Sequence, residues 1–468
     1  MRAGARTLFA GAAILALALF AGAPRGAGQE PPEGQERPRP PGDPTAGPEG
    51  QEGQDITLIL APGQRGFLRL AFPEIRGRDR LSGAAARAAQ ELDETLRRDL
   101  EAARIFQVQG PEELEVLQLT GEAARDFELY RSLGNEILLQ AEIKPQGERL
   151  VLEGRVFDLA SGQSILGKRY RGEYELARRI AHTFADEIVL FFTGRRGVAL
   201  TTIAYSSDRT GHKEIFLMDA DGENQRPITA HKSISMSPDW GPTGESIAYV
   251  SFYGGSPGIY LAEVATGQKR PVVTQGGFNT SPSFSNDGQR IAFSRSVEGN
   301  VEIFVANRDG SGLKRLTHSP GIDTNPAWSP TGREIAFTSS RAGNPHIYVM
   351  DSEGANNRRV TFIGDYNDGA AWAPDGTKIA HATRRGAAFD IALTDLVTLE
   401  SRILAGGPGS EETPVFSPDG RRIAFASSRS SGSRRETQIY VMDADGSNVE
   451  QLTQSGNNYT PAWSGYGR

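Results

Sequence analysis

One step length governs the second half of this chain. A bulky aromatic stands at Trp240, Phe284, Trp328, Trp372 and Phe416, each 44 residues after the last, and again at Trp463 after 47. Ile-Ala keeps the same step at Ile203, Ile247, Ile291, Ile335, Ile379 and Ile423. A third signature follows at Ile215-Phe216, Ile259-Tyr260, Ile303-Phe304, Ile347-Tyr348 and Ile439-Tyr440. A fixed period of this size, built from short apolar runs, predicts a series of small four-stranded sheets.

One period shows how. Between Thr324 and Asp368, a strand ends at Trp328, Pro330-Thr331-Gly332 turns, and Ile335-Ala336-Phe337 makes a second strand. Ile347 to Met350 is a third, and Glu353-Gly354 turns into a fourth at Arg358 to Thr361. The apolar runs are continuous rather than alternating, as strands buried on both faces require. Forty-four residues before Trp240 lies Arg196, in no strand pattern, so the first blade starts at its second strand near Thr201. Tyr459 to Trp463 supplies the missing innermost strand, and pairing the two ends closes the circle without open edges. The predicted fold is an all-β six-bladed β-propeller preceded by a smaller α+β domain.

The front of the chain divides by composition. Arg2 and Arg6, the apolar run Leu8 to Phe20 and the small residues Ala21-Gly22-Ala23 and Gly26-Ala27-Gly28 read as a signal peptide over 1–28. Residues 29–54 hold seven prolines among Gly, Glu and Gln, a linker with nothing to bury. Residues 55–195 read as the α+β domain and 196–468 as the propeller. In the former, strands are expected at Ile56–Leu60, Phe67–Phe72, Ile137–Ile143, Leu150–Leu159 and Ile165–Tyr170. A helix capped by Ser82 carries Ala85, Ala88, Leu92, Leu96, Leu100 and Ala103, and a closing helix marked by Leu176, Ile180, Phe184, Ile188 and Phe191 stops at Gly194.

The chemistry that the residues exclude is as informative. A net charge of −7 argues against nucleic acid, and the absence of Cys removes thiolate chemistry and Cys-based zinc. The histidines, His182, His212, His231, His318, His346 and His381, have no metal spacing and read as ordinary loop or strand residues. No GxSxG elbow or P-loop is present, and no cofactor or metal is expected. Asp219-Ala220-Asp221-Gly222 and Asp443-Ala444-Asp445-Gly446 lack the rest of a calcium loop and read as hairpin turns. The recurrent Trp and Phe read as packing between blades.

Topology directs attention to the loops entering the innermost strands, which ring the mouth of the central channel. They are Phe278-Asn279-Thr280-Ser281, the stretch holding Asp323, Thr324 and Asn325, then Tyr366-Asn367-Asp368, Glu411-Glu412-Thr413 and Asn458-Tyr459-Thr460. These sixteen residues are the candidate partner-binding set. The insertion Ser427 to Thr437, with Arg429, Arg434 and Arg435, reads as a solvated hairpin tip on the same face.

The repeated Trp-Ser-Pro-Thr-Gly and Phe-Ser-Pro-Asp-Gly before Ile-Ala-Phe, with Leu133-Gly134-Asn135-Glu136-Ile137-Leu138, Val156-Phe157-Asp158, Gly162-Gln163 and Pro461-Ala462-Trp463-Ser464, together resemble the TolB family. The resemblance implies a periplasmic adaptor of the Tol-Pal system, active in outer-membrane integrity and cell division. Its mouth would bind the peptidoglycan-associated lipoprotein Pal, through loops that correspond by position to Asn279-Thr280-Ser281 and Asp323-Thr324-Asn325. It also implies that the N-terminal segment meets the inner-membrane protein TolA, but here the spacer 29–54 stands in that place and no TolA motif matches residue by residue. Phe278 and Asn325 depart from the family pattern. Two other readings stand beside the adaptor: a TolB-like propeller for another secreted protein, and an enzymatic or small-ligand propeller using Asp323, Asp368, Glu411 and Glu412 to hold a cation.

Overall fold

The computed structural model describes residues 67–429 and 436–466. The expected signal peptide, the linker, the strand at Ile56–Leu60 and Arg434 and Arg435 of the insertion lie outside them.

The N-terminal part is a five-stranded mixed sheet. Its strands are β1 (Leu68–Ala71), β2 (Phe106–Gln109), β3 (Ile137–Gln146), β4 (Arg149–Asp158) and β5 (Gln163–Glu173), in the order β2-β1-β3-β4-β5. β1 runs parallel to both neighbours, and the last three strands form an antiparallel meander. Helices α1 (Gly83–Ala102) and α4 (Ala177–Thr193) cover one face, and the apolar positions expected of them fill its core: Ala88, Leu92, Leu96 and Leu100 against Ile180, Phe184 and Ile188. Helix and sheet approach so closely at Gly154 that a Cβ there would stand 2.3 Å from the Phe184 ring. Two short helices, α2 (Pro111–Leu114) and α3 (Ala123–Ser132), cover one end of the other face with Leu114 and Tyr130. The sequence reading missed β2, α2 and α3, since four-residue elements carry too few periodic positions to register and α3 buries only Tyr130.

Six four-stranded sheets follow. Their innermost strands are Asn458–Trp463 in blade 1, Ser235–Trp240, Asn279–Phe284, Asp323–Trp328, Asn367–Trp372 and Glu411–Phe416 in blade 6. Blade 1 takes its inner strand from the C-terminus, which pairs antiparallel with Thr202–Ser207. The ring therefore closes as expected. Each inter-blade core draws on two neighbouring sheets, and the one between the last and first blades joins Ala424, Ile439 and Val441 to Ile203, Tyr205 and Trp463. Two of the recurrent aromatics bond between blades, the Trp240 indole donating to Ala462 O at 3.1 Å and that of Trp372 to Ala327 O at 3.0 Å, while that of Trp463 donates within blade 1 to Thr201 Oγ1 at 2.8 Å and ties the two ends of the ring together.

The α+β part sits beneath blades 1 and 6, on the face of the short turns. Arg178 of α4 pairs with Asp221 at 2.8 Å and Asp219 at 3.3 Å, and Arg98 of α1 with Asp221 at 3.0 Å. Arg104 reaches Glu450 and lies 3.7 Å from Asp443. So both Asp-Ala-Asp-Gly stretches are turns, and their acidic residues also fasten this junction. Asp186 accepts from Ala199 N and Leu200 N at 2.9 and 3.2 Å, and Gly197 lets it lie there, because a Cβ would be 2.2 Å from its Oδ1.

His182 departs from the expectation of an ordinary loop or strand residue. It lies in α4, buried, with Nδ1 2.6 Å from Asp99 Oδ2 and Nε2 3.8 Å from Asp219. Burial alone would lower its pKa, but the nearby carboxylates of Asp219 and Asp99, the latter hydrogen-bonded to it, outweigh burial and hold it at about 9. Burial pushes Asp186 up to about 6 against its two backbone donors.

Candidate functional site

Every innermost strand breaks its ladder at the same place. Register shifts occur in all six inner pairs, and the third residue of each strand has positive φ: Ser237 52°, Ser281 51°, Asn325 51°, Gly369 66°, Thr413 52° and Thr460 48°. Such a bulge inserts one residue and re-aims its neighbours. Consecutive second and third residues thereby both turn from the packed faces toward the channel, while the first and fourth stay packed, the fourth less completely at Ala370. A β-branched residue in the left-handed region is costly, so the surrounding sheet must impose it at Thr413 and Thr460.

This geometry divides the sixteen candidates. They begin the inner strands rather than hang as loops before them, Phe278 and Tyr366 excepted. The first residues, Asn279, Asp323, Asn367, Glu411 and Asn458, are fully buried and cannot touch a partner. Asp323 pairs with Arg341 Nη2 at 2.9 Å, Glu411 with Arg429 Nη2 at 3.2 Å, and Asn458 Oδ1 accepts from Arg209 Nη2 at 3.1 Å. Asn367 donates to Ile363 O at 2.8 Å and Asn279 to Gly277 O at 2.9 Å. Each of the three arginines also stacks on the aromatic pair of its own blade, Arg341 for example 5.2 Å from Phe337 and 5.0 Å from Tyr348. Arg429 is thus a clamp inside blade 6 and not a solvated tip. The signal was legible: Ser-x-Arg follows the second strand at Ser207-Asp208-Arg209, Ser339-Ser340-Arg341 and Ser427-Ser428-Arg429.

The second and third residues form the usable rim. Ser281 Oγ donates to Asn325 Oδ1 at 2.7 Å, Asn325 Nδ2 to Asp368 Oδ1 at 2.7 Å, and Thr338 Oγ1 also to Asp368 Oδ1 at 2.7 Å. One hydrogen-bonded chain therefore links three blades. Thr280 and Thr324 face the channel beside it. Glu412 is open to the channel, and partial desolvation together with the Asp368 carboxylate raises its pKa. Thr460 Oγ1 lies 2.9 Å from Ser206 Oγ, the Lys213 ammonium sits 4.3 Å from the centre of the Tyr459 ring, and Thr413 Oγ1 is buried without a partner. Tyr366 meets Phe389 edge-on at 5.4 Å.

The four carboxylates imagined around a cation do not meet. Asp323 and Glu411 are turned into the blades on their arginines, leaving only Asp368 and Glu412 of that set in the channel. Among the described residues no group of three metal-ligating side chains gathers. The sequence reading also passed over Met236 and Ser237, the channel-facing pair of blade 2, although they lie 44 residues before Thr280 and Ser281.

Comparison with known proteins agrees with this architecture. Residues 191–467 match the family model of the TolB beta propeller domain, and residues 63–165 that of the TolB amino-terminal domain. The chain is 38% identical over 194 residues to the Tol-Pal system protein TolB of Syntrophotalea carbinolica, and 37% identical over 169 residues to that of Geobacter metallireducens. These alignments take in 40% and 36% of this chain but only 44% and 39% of the two relatives, less than half of either. The crystal structure of TolB from Acinetobacter baumannii superposes with a TM-score of 0.74 at 27% identity, over 86% of this chain and 97% of that one. A propeller model matched over more than half of the chain, on a ring closed by its C-terminal strand, places this protein in the TolB family.

Proposed function

We propose that this chain is a non-enzymatic periplasmic adaptor of the Tol-Pal system that binds a Pal-like lipoprotein at the propeller mouth, in support of outer-membrane integrity and invagination during division. The observation that carries the reading is the bulge repeated in all six inner strands. It turns the second and third residues of each inner strand, most of them polar, toward one opening, at a backbone cost at the non-glycine positions. Strained residues cluster at binding surfaces, and their gathering at one opening supports a recognition role for it. The names carried by the relatives give the partner its class. The N-terminal segment on which a TolA contact would fall lies outside the described residues, and the reading does not depend on it.

Calorimetric titration of the chain with the soluble domain of the Pal-like lipoprotein from the same organism tests this. The parent binds, and Thr324→Arg, which sets a long cation in the channel mouth, abolishes binding while the melting profile is kept. An unchanged affinity in Thr324→Arg would remove the mouth from the interface. A second reading, a different secreted protein at the same mouth, is favoured by Phe278 and Asn325, where this rim departs from the family pattern.

A further inference from the structure

The residue just before each innermost strand occupies an equivalent place in all six blades, because its carbonyl accepts from a backbone N–H at or just past the end of the second strand. Phe252 N donates to Ile234 O at 2.9 Å, Ser296 N to Phe278 O at 2.9 Å, Ser340 N to Ile322 O at 3.0 Å and Arg384 N to Tyr366 O at 2.8 Å. Ser428 N and Asp208 N do the same for Ser410 O and Asn457 O at 3.0 and 3.2 Å. The side chains at this place are apolar or aromatic in the four successive blades 2 to 5 and polar in blades 6 and 1. Ile234 and Ile322 are 42% and 44% exposed, and the arc is extended outward by Tyr253 at 64% and Phe362 at 59%. Single exposed apolar residues are ordinary, whereas a run in phase along one side of an opening marks a contact surface.

Inside the arc the channel is anionic. The second and third positions of the inner strands carry Asp368 and Glu412 and not one Lys or Arg, whereas Asp239, at a fifth position, is turned onto Phe284 N at 2.7 Å and burial pushes its pKa up to about 7. A second copy of this chain, docked mouth to mouth about a two-fold axis, would set Asp368 and Glu412 against themselves.

We infer that the mouth seats its partner off-centre, over blades 2 to 5, and that the partner is a protein whose contact surface carries apolar side chains beside a basic one. The apolar side chains cover the arc and the basic group reaches the carboxylates of the channel. Apolar and aromatic anchors at the centre of an interface supply most of its affinity, and charge complementarity fixes its register. The inference rests on the mouth being the partner site, and it names the chemistry of that partner.

Selection from a displayed library of random twelve-residue peptides on the immobilised full chain reads this chemistry directly. Enriched peptides should combine aromatic or aliphatic residues with Lys or Arg. Their binding should fall about tenfold in Ile234→Ser/Ile322→Ser, the loss of one buried aliphatic side chain or more. It should weaken in Glu412→Gln and with added salt, and stay unchanged in Gln454→Ala, an exposed residue of the loop that leads to Asn457 on the polar side. Phe362→Ser is the second arc variant if the double one melts early. Absence of enrichment, enrichment of acidic peptides, or binding indifferent to the arc variants would overturn the inference. Titration of the same proteins with the Pal-like domain separates the two levels. Peptides of the expected kind with no binding of that domain would overturn the adaptor reading alone, and tight binding of that domain indifferent to the arc variants would overturn the off-centre seat alone.

Discussion

The two faces of the ring use charge in opposite ways. On the underside nearly every named ionic group is spent within the chain: Arg98, Arg104 and Arg178 on the acidic turns, His182 on Asp99, Asp186 on two backbone N–H groups. At the mouth, the arginines are likewise consumed by the buried first residues of the inner strands, but the residues one and two places on are turned into the channel. A fastening surface satisfies its polar groups internally; the mouth, the proposed recognition surface, leaves some of them turned to the open channel. One side chain of separation in sequence, Asp323 against Thr324, divides the two roles.

Substitutions can break this contrast at graded cost. Deleting Asn458–Arg468 removes the inner strand of blade 1 together with the Trp463 bond to Thr201, and exposes the edge of the strand Thr202–Ser207. The loss should be comparable with the whole stability of a domain, roughly 5–15 kcal/mol, seen as a broad early transition in calorimetry. A sharp transition at the parent temperature would refute closure by this strand.

On the underside, His182→Ala leaves Asp99 buried without its partner and should cost about 3 kcal/mol by chemical denaturation. The sign with pH follows from a folded pKa of about 9, raised above the ordinary 6.5. The contribution of the pair is fully present below pH 6.5 and is lost as pH rises through about 9, so parent and variant should converge in alkali. A gap that stays constant from pH 6 to about pH 10 would place the proton elsewhere.

At the mouth, the neighbouring pair sharpens the distinction. Asp323→Ala strands Arg341, whose side chain is partly exposed, and should cost about 2 kcal/mol, while partner affinity is altered only through that loss. Thr324→Arg should change stability by less than about 1 kcal/mol and remove binding instead. Reversal of these two outcomes, by melting and titration side by side, would mean that the first residues of the strands are the contact surface.

How much was legible follows from repetition. The 44-residue step fixed the blade count, the strand boundaries near Trp328 and the C-terminal closure, because a continuous apolar run can be packed on both faces only between neighbours of its own kind. Helices α1 and α4 were legible from their apolar stripes. By contrast β2, α2 and α3 carry no period long enough to register, and Asn279, Asp323, Asn367, Glu411 and Asn458 looked like rim residues because polarity in a sequence suggests exposure.

The sequence by itself determined a closed six-bladed ring, since each blade repeats the same local instructions and the spare strand at the end has only one edge to satisfy. Tertiary structure alone decided which polar residues are free. The bulge that aims the second and third residues inward depends on hydrogen-bond register between strands, and the burial of Asp323 and Glu411 depends on arginines that stack on aromatics of two further strands. The location of the α+β part beneath blades 1 and 6 was equally beyond reading, because its ion pairs join residues 41 to 346 places apart, a separation along which no local pattern can carry information.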